Sequence, residues 1–337
     1  MKHHWNITEC NAETAVDLAR ALGVSKLLAQ CLMNRGLGDE AEAANFLAPR
    51  LTNLAAPEGI PNLSIAVERL FVARERGERI AVFGDYDVDG VTSATLLLDC
   101  LRALGWQVEA YLPHRMDEGY GLTAVGVANC LEKHQPDLLL AVDCGSTSVD
   151  VIADLHTKGI EVIVLDHHQV SDPPPPALAI VNPQLAAEGE PDFRELCSAG
   201  LAFKLIHGLV KAGREKGIDE FGAFDIRTTL DLVALGTLAD MVPLRGENRI
   251  LAHAGLRQLN CTERPGILAL AKAAGITGEI GGFEVGFQIG PRLNAAGRLG
   301  SATAALDLLR ETDAAAAAEM AGKLDRQNRD RQLTEKE

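Results

Sequence analysis

The stretch RIAVFGDYDVDG, residues 79–90, sets the expectation for the fold of this 337-residue chain. Its first six residues are mostly apolar, as in a short buried strand, and Asp85, Asp87 and Asp89 follow directly. The helical pattern TSATLLLDCLRALG comes next, beginning at Thr92. The stretch therefore predicts a strand that ends in an acidic loop and leads into a helix.

The chain beyond residue 90 repeats this alternation of short apolar runs and helical patterns. Further strands are predicted in WQVEAYL, DLLLAVD and EVIVLD, with helical spacers between them. Such βαβ units indicate an α/β fold with a mainly parallel sheet flanked by helices. The run PPPP at 173–176 then predicts a surface loop, and two apolar helices are expected at about 197–213 and 226–239.

Both ends of the chain are predicted to be helical. Residues 1–60 carry apolar residues three and four apart, which indicates a helical N-terminal extension to a central domain at 61–245. Residues 246–337 form a helical segment that closes in AAAAAEMAGKLDRQNRDRQLTEKE, without a stop signal. We therefore expect more protein to follow this segment.

Composition excludes several classes of protein. The longest apolar runs are far shorter than the ~20 residues that span a bilayer, and MKHHWNITEC lacks the apolar core of a signal peptide. The seven cysteines form no Cys-x-x-Cys pair, which favours reduced thiols and a cytoplasmic location. The net charge of −15 argues against nucleic-acid binding unless a cationic groove is local.

Acidic and imidazole side chains follow three of the predicted strands and one later apolar segment. These side chains are Asp85, Asp87, Asp89, Asp143, Asp166, His167, His168 and Asp240. Ligands bind beyond the carboxyl ends of the strands in open α/β sheets, so we expect this set to share one edge. Packed carboxylates repel one another unless cations neutralise them, and oxygen-rich donors with one or two imidazoles suit Mn²⁺.

Simpler interpretations exist for the individual motifs. DYDVDG begins like a calcium-binding EF-hand loop, but Leu96 stands where that loop needs Glu, and a strand precedes it. A single aspartate after a strand, such as Asp143, more often caps a turn or helix than binds a metal. The joint pattern, rather than any one residue, indicates the metal site.

Four motifs in chain order resemble those of the DHH phosphoesterase superfamily, which is named for Asp-His-His. They are GDYDVDGVTSATLL, AVDCGS, VLDHH and LGTLADMVPL. The segments HRMDEGYGL at 114–122 and IGPRLNAAGRLGSATAALDLL at 289–309 more closely resemble the bacterial RecJ single-strand-specific exonucleases, as does MNRGLGDEAEAANFLAPRLTNLAAP near the N-terminus. RecJ proteins continue into a DHH-associated domain and often an OB-fold, whose motifs are not seen in these 337 residues.

The resemblance implies a DHH phosphoesterase fold with two Mn²⁺ or Mg²⁺ ions that assist phosphodiester hydrolysis. The implied metal ligands are Asp85, Asp87, Asp89, Asp143, His167 and Asp240, with Asp143 expected to bridge the ions. The implied catalytic set is His168, Asp166 and Asp89. Asp166 is expected to orient the ring of His167, and His168 to contact a phosphate or protonate the leaving group.

The resemblance also implies contacts to substrate. The implied residues are Arg115, Arg292, Asn294 and Arg298, since guanidinium groups can bind phosphates with two parallel hydrogen bonds. Arg115 would grip a terminal 5′-phosphate. The implied partner is single-stranded DNA, with single-strand-binding protein and a helicase as further candidates, and no membrane.

The favoured function is a metal-dependent 5′-to-3′ exonuclease on single-stranded DNA in recombination and repair. One alternative is a DHH phosphodiesterase for short oligonucleotides or cyclic dinucleotides, or a pyrophosphatase; these short enzymes would not be expected to carry the 289–309 segment or the helical N-terminus. Another is a catalytically silent scaffold for DNA replication or repair, which would be expected to have lost some of the Asp and His positions filled here.

Overall fold

The computed structural model describes residues 12–187, 193–299 and 301–334. At its centre is a five-stranded, fully parallel sheet with the strand order β2-β1-β3-β4-β5. The strands are β1 Arg79–Gly84, β2 Gln107–Tyr111, β3 Leu138–Val142, β4 Glu161–Leu165 and β5 Ala179–Val181. The first four coincide with the four strands predicted from the sequence.

Helices cover both faces of the sheet and form both ends of the described chain. They are α1 Ala12–Leu22, α2 Lys26–Met33, α3 Glu40–Leu47, α4 Leu63–Arg76, α5 Val88–Ala103, α6 Arg115–Glu118, α7 Ala124–His134, α8 Val149–Thr157, α9 Ser198–Glu215, α10 Asp219–Ala223, α11 Leu230–Ala239, α12 Gly246–Leu259, α13 Pro265–Ala273, α14 Gly282–Glu284, α15 Gly290–Leu299, α16 Thr303–Arg310 and α17 Ala314–Thr334. A π-helical turn, Val285–Ile289, joins α14 to α15.

Alternate residues of the central strands enter two different cores, as expected for a sheet covered on both faces. Ile80 and Val82 of β1 belong to the larger core, together with residues of α4, α5, α9 and α11. Ala81 and Phe83 belong to a smaller core with residues of α7 and α8. Double burial explains why these strands are nearly continuous apolar runs, and the predicted α/β fold is confirmed.

The chain ends differ in how they join this body. Helices α1 and α2 form a small separate hydrophobic cluster with neighbouring residues up to Phe46. Residues of α13, α15, α16 and α17, by contrast, lie in the larger core, which extends to Leu324. The division of the chain at residues 60 and 245 stays a prediction. In the part of the chain that the structure describes, no helix is long and apolar enough to cross a membrane.

Candidate metal centre and nucleic-acid interface

The parallel sheet brings the predicted acidic residues to one edge. Asp85, Asp143 and Asp166 each follow the last residue of a strand, in β1, β3 and β4 respectively. Asp240 caps the C-terminus of α11, which packs against α5 in the larger core. Strand direction therefore brings the first three together, and the packing of α11 adds Asp240, although 155 positions separate Asp85 from Asp240.

The carboxylates and imidazoles form three overlapping groups whose donor atoms all lie within 4.8 Å of one another. The groups are Asp85–Asp87–Asp143, Asp89–His167–Asp240 and Asp143–His167–His168. Asp143 and His167 each occur in two of them. This overlap is what two adjacent metal positions with shared ligands require, and it supports the prediction that Asp143 bridges them.

Asp85 lies in this cluster without a compensating partner. Its side chain is buried, and no hydrogen bond of ordinary geometry reaches either carboxylate oxygen. Burial, and then the nearby charge of Asp87, raise the pKa of Asp85 to about 7. A buried carboxylate without partners is costly in free energy, which makes Asp85 a strong candidate for a cation ligand.

Asp143 and Asp89 lie deeper in the cluster. Burial raises the pKa of both carboxyls, and the neighbouring aspartates raise that of Asp143 further. Asp143 also adopts a left-handed backbone with φ 62°, an uncommon conformation for a residue with a side chain. Such strain at a charged, buried residue marks a functional position.

The ring of His167 faces the carboxylates. Its Nε2 lies 3.5 Å from Oδ1 of Asp143, 3.8 Å from Oδ2 of Asp240 and 3.9 Å from Oδ2 of Asp89. These separations exceed ordinary hydrogen bonds, yet they place one nitrogen and three oxygens around a common space. This is the donor arrangement that Mn²⁺ and similar divalent ions favour.

The N-terminus of α9 holds two of these carboxylates in place. The backbone N–H groups of Ser198 and Ala199 donate to the two oxygens of Asp89, at 2.7 and 2.9 Å. The hydroxyl of Ser198 donates to Oδ1 of Asp143 at 2.9 Å. Sequence analysis missed Ser198, because a serine at a helix start reads as an ordinary cap until the strands are assembled.

Asp166 binds a different histidine from the one predicted. Its Oδ1 lies 2.8 Å from Nδ1 of His168, so the expectation that it orients the ring of His167 is wrong. From His167 it accepts only the backbone N–H, at 2.8 Å, and it also accepts the backbone N–H groups of His168 and Ser146. The reason is geometric: the tight turn after β4 folds the second histidine, not the first, back over the carboxylate.

This pairing sets the charge of both groups. Burial acts against ionisation of Asp166, but the hydrogen bonds from His168 outweigh it and lower the pKa of Asp166 to about 2. The same hydrogen bond raises the pKa of His168 above its usual value. The side chain of His168 remains 48% exposed, so its other ring nitrogen can reach a substrate.

Asp87 has a structural task as well as a possible ligand role. Its Oδ1 accepts the backbone N–H of Gly90 at 3.1 Å and so caps the N-terminus of α5. Gly90 itself packs against the backbone of Asp85, where a Cβ would lie 2.6 Å from the carbonyl oxygen. The loop is thus tight enough that only glycine fits at position 90.

Arg115 and Arg298 are exposed near the same loop. The guanidinium of Arg115 lies 4.8 Å from the ring centroid of Tyr86. In the sequence, Tyr86 stands between the predicted metal ligands Asp85 and Asp87. Both arginines act to lower the pKa of Tyr86, although burial raises it overall. Their location beside the carboxylate cluster suits contact with a phosphate bound there.

The other two predicted substrate contacts have different surroundings. The guanidinium of Arg292 donates to Asp325 of α17 at 2.9 and 3.0 Å and to the carbonyl of Gln288, and the side chain is only 14% exposed. Asn294 accepts the backbone N–H of Val88 at 3.0 Å. In the structure Arg292 joins two helices and Asn294 anchors the start of α5, and their contact with substrate stays a prediction.

The donor set fits a pair of hard divalent ions. Seven residues of the three groups supply carboxylate oxygens or imidazole nitrogens: the six predicted ligands Asp85, Asp87, Asp89, Asp143, His167 and Asp240, together with His168. The cysteine nearest to the cluster in sequence, Cys144, is buried, and burial strongly raises its thiol pKa, so it does not offer a thiolate. Oxygen-rich, thiolate-free surroundings favour Mn²⁺ or Mg²⁺ over structural zinc.

Comparison with known proteins finds relatives that match most of this chain. The N-terminal domain of the DHH family matches residues 79–237. The single-stranded-DNA-specific exonuclease RecJ of Bacillus subtilis is 35% identical over 332 residues, which are 98% of this chain and 40% of that protein. The chain therefore spans about two fifths of the length of this curated relative.

Two solved structures agree with this result. The crystal structure of RecJ from Thermus thermophilus in complex with Mn²⁺ has a TM-score of 0.80 at 35% identity, over 98% of this chain and 46% of that chain. A crystal structure of exonuclease RecJ bound to manganese has a TM-score of 0.74 at 40% identity, over 84% of this chain and 69% of that chain. With the DHH match across the sheet and α11, these similarities show that the chain belongs to the RecJ group of the DHH family.

Proposed function

We propose that this protein is a metal-dependent exonuclease that hydrolyses single-stranded DNA from the 5′ end. The observation that carries the proposal is the cluster of buried carboxylates around His167, in which Asp85 has no hydrogen-bond partner of ordinary geometry. At neutral pH such a cluster is stabilised by cations among its oxygens. The RecJ relatives, which are single-stranded-DNA-specific exonucleases, supply the substrate class.

Two Mn²⁺ or Mg²⁺ ions would be held by the cluster, and Asp143 is the proposed shared ligand. When bound, such ions supply Lewis acidity and a water of lowered pKa for attack on a phosphodiester. Asp89 is held by the N-terminus of α9, so its oxygens keep their direction without the ions. The protein thereby fixes the ligand geometry in advance, which favours catalysis.

His168 has a separate role in the proposal. Asp166 holds Nδ1 of His168, and this hydrogen bond raises the pKa of the ring and so favours its protonated form. The exposed Nε2–H can then donate to a phosphate oxygen or to the leaving oxygen. Asp166 acts through His168 and is a positioning residue.

Arg115 is the proposed contact for the terminal 5′-phosphate, with Arg298 as a second cation on the same side. Both are exposed beside the Tyr86 loop. The net charge of −15 does not oppose this assignment, because phosphate binding depends on the local field. We place the protein in the cytoplasm in DNA recombination and repair, where single-strand-binding protein and a helicase would supply its substrate.

A digestion assay tests the proposal. The chain is incubated with Mn²⁺ and a 5′-phosphorylated oligonucleotide, as a single strand or as a duplex, with phosphorothioate linkages at the 5′ or the 3′ end. We expect mononucleotides from the single strand only, and a block by the 5′ modification only. Digestion from the 3′ end, or of duplex and single strand alike, would contradict the proposed polarity or substrate.

The matched variants are Asp143→Asn in the cluster and Asp17→Asn on the exposed face of α1, where the Asp17 side chain is 72% exposed. Asp143→Asn is expected to abolish digestion, and Asp17→Asn to leave it unchanged. Equal loss in both variants would show that the assay responds to protein quality rather than to the metal centre.

A further inference from the structure

Two exposed phenylalanines lie on the segment that packs against the last turn of α11, the helix that ends at the predicted ligand Asp240, and they have no part in the roles assigned so far. Phe283 is 62% exposed and Phe287 is 67% exposed, whereas the other seven phenylalanines of the chain are buried or half-buried. Their ring centroids are 5.1 Å apart and the ring planes are inclined by 31°. Together they present a broad aromatic surface to solvent, which we name the phenylalanine pair.

The pair is placed next to a predicted metal ligand by the segment that carries it. A Cβ on Gly282 would lie 3.8 Å from Cδ2 of Leu238, and one on Gly290 would lie 3.5 Å from Cβ of Ala239. The segment therefore packs against the last turn of α11, immediately before Asp240. Phe287 lies in the π-helical turn Val285–Ile289, a local irregularity that is frequent at functional sites.

We infer that the phenylalanine pair stacks the unpaired bases of a single-stranded nucleic acid whose backbone lies at the metal centre. This inference rests on the proposed function. Every base has an apolar face, so aromatic rings bind single strands without selecting a sequence. In a duplex these faces are covered by neighbouring bases, so the pair also favours single strands over double strands.

Uncharged stacking suits the charge of this protein. The chain carries a net charge of −15, so phosphates that lie away from local cations such as Arg115 and Arg298 are repelled on average. Contacts to bases add affinity that repulsion does not cancel and that salt weakens less than phosphate contacts. The pair thus complements Arg115 and Arg298, which contact phosphate on the side of Tyr86.

The test measures binding of a single-stranded oligonucleotide that contains 2-aminopurine to metal-free protein, so that no cleavage occurs. One double variant replaces both rings by alanine, Phe283→Ala with Phe287→Ala. The other replaces both by leucine, Phe283→Leu with Phe287→Leu. Leu27→Ala in α2, at a side chain that is 75% exposed, is the control for loss of exposed apolar surface. Circular dichroism and thermal unfolding confirm that each variant is folded.

We expect quenching of 2-aminopurine by the unaltered protein, and a dissociation constant about tenfold weaker for each ring replaced by alanine. The leucine variants should not restore binding, since they keep apolar surface but lose the aromatic faces. Unchanged affinity in the alanine variants would overturn the inference. Full recovery of oligonucleotide affinity with leucine would also overturn it. That result would mean that apolar surface, not an aromatic face, is what matters, as in a contact with polypeptide.

A second measurement separates this inference from the proposed function. Bis(p-nitrophenyl) phosphate with Mn²⁺ tests hydrolysis on a substrate too small to span from the metal centre to an extended run of bases. The alanine variants should hydrolyse it at the rate of the unaltered protein. If the unaltered protein fails to hydrolyse it while 2-aminopurine stacking is intact, the proposed function fails and the stacking surface stands.

Discussion

Asp143 shows at the level of one residue how the metal centre is built. It lies at the end of β3, in a left-handed conformation, against Ser198 on one side and His167 on the other. Burial and four neighbouring aspartates raise the pKa of its carboxyl. An ordinary turn residue would have neither this strain nor this crowding, so a ligand role is the simplest explanation.

Replacement of either central ligand tests this explanation. Asp143→Asn or His167→Ala should reduce Mn²⁺-dependent hydrolysis of single-stranded DNA more than the roughly 10–100-fold typical of residues that only support a ligand. The cause is loss of a direct donor from the cluster. Initial rates at saturating Mn²⁺ measure the effect, with far-ultraviolet circular dichroism as the control for folding. Rates within a factor of a few of the unaltered protein would refute the ligand assignment.

Ser198→Ala should weaken Mn²⁺ binding by about 10–100-fold, because the hydroxyl that holds Asp143 is lost. Titration followed by electron paramagnetic resonance measures free Mn²⁺ directly, without reference to turnover. Ser93→Ala is the matched control, since Ser93 is equally buried in α5 and its hydroxyl has no hydrogen-bond partner among the described residues. Equal Mn²⁺ affinity of the two variants would argue against the positioning role of Ser198.

Arg115→Ala should reduce the preference for a 5′-phosphorylated end while metal affinity stays the same. The side chain is exposed and lies over Tyr86, outside the donor groups. Rates on phosphorylated and unphosphorylated strands of the same sequence give the preference as a ratio. A ratio unchanged by the substitution would remove Arg115 from the substrate contacts.

Arg292→Ala should instead lower the free energy of unfolding, by about 1–3 kcal/mol, because its charged hydrogen bonds to Asp325 are lost in a poorly exposed site. Urea denaturation measures this change. A stable Arg292→Ala variant with weakened DNA binding would instead support the substrate contact predicted from the sequence.

The site residues were predictable from the sequence to different degrees. The aspartates and histidines at strand ends could be predicted as site residues, because parallel strands place their carboxyl ends at one edge of the sheet. The role of Arg292 could not be predicted, because its partner Asp325 lies on α17, whose packing against α15 is a tertiary contact. Which of the two adjacent histidine rings bonds to Asp166 depends on the backbone geometry of the turn after β4. Residue types alone do not determine that geometry.

At the level of elements, burial decided which predictions succeeded. Strands β1, β3 and β4 are buried on both faces, so their apolar runs are unmistakable. The edge strand β5, Ala179–Val181, was not predicted because it has three residues and follows the proline-rich loop. The π-helical turn was also missed, since its glycine-rich sequence has no helical periodicity.

The loop between β1 and α5 depends on Gly90. A Cβ at this position would lie 2.6–2.8 Å from backbone atoms of Asp85, which cannot move without shifting a predicted metal ligand. Gly90→Ala should therefore lower both the melting temperature and the Mn²⁺ affinity. Gly38→Ala, at a position with no atom within 4 Å of the new Cβ, is the control. Normal Mn²⁺ binding by Gly90→Ala would show that the loop is more adaptable than its packing indicates.

For the whole molecule, the acidic cluster makes stability depend on pH and on metal. The pKa values of Asp85 and Asp240 are raised to about 7, so the metal-free folded state binds more protons than the unfolded state between about pH 4 and pH 7. Stability without metal must therefore fall as pH rises through this window. The raised pKa of His168 acts in the same direction.

Thermal unfolding with a chelator should accordingly give a lower melting temperature at about pH 7.5 than at about pH 5.5. Added Mn²⁺ should raise the melting temperature more at the higher pH, because the ligands are then ionised. A melting temperature that rises with pH in the chelated protein would show that the carboxylates are already compensated by other groups.

The spread of the ligands along the chain has a consequence for biosynthesis. The first of them, Asp85, emerges from the ribosome long before Asp240, and between them lie four strands and several helices. A nascent or misfolded chain holds the acids far apart, where none binds a divalent ion strongly. The proposed hydrolysis of nucleic acid would therefore begin only after the polypeptide has reached its mature shape.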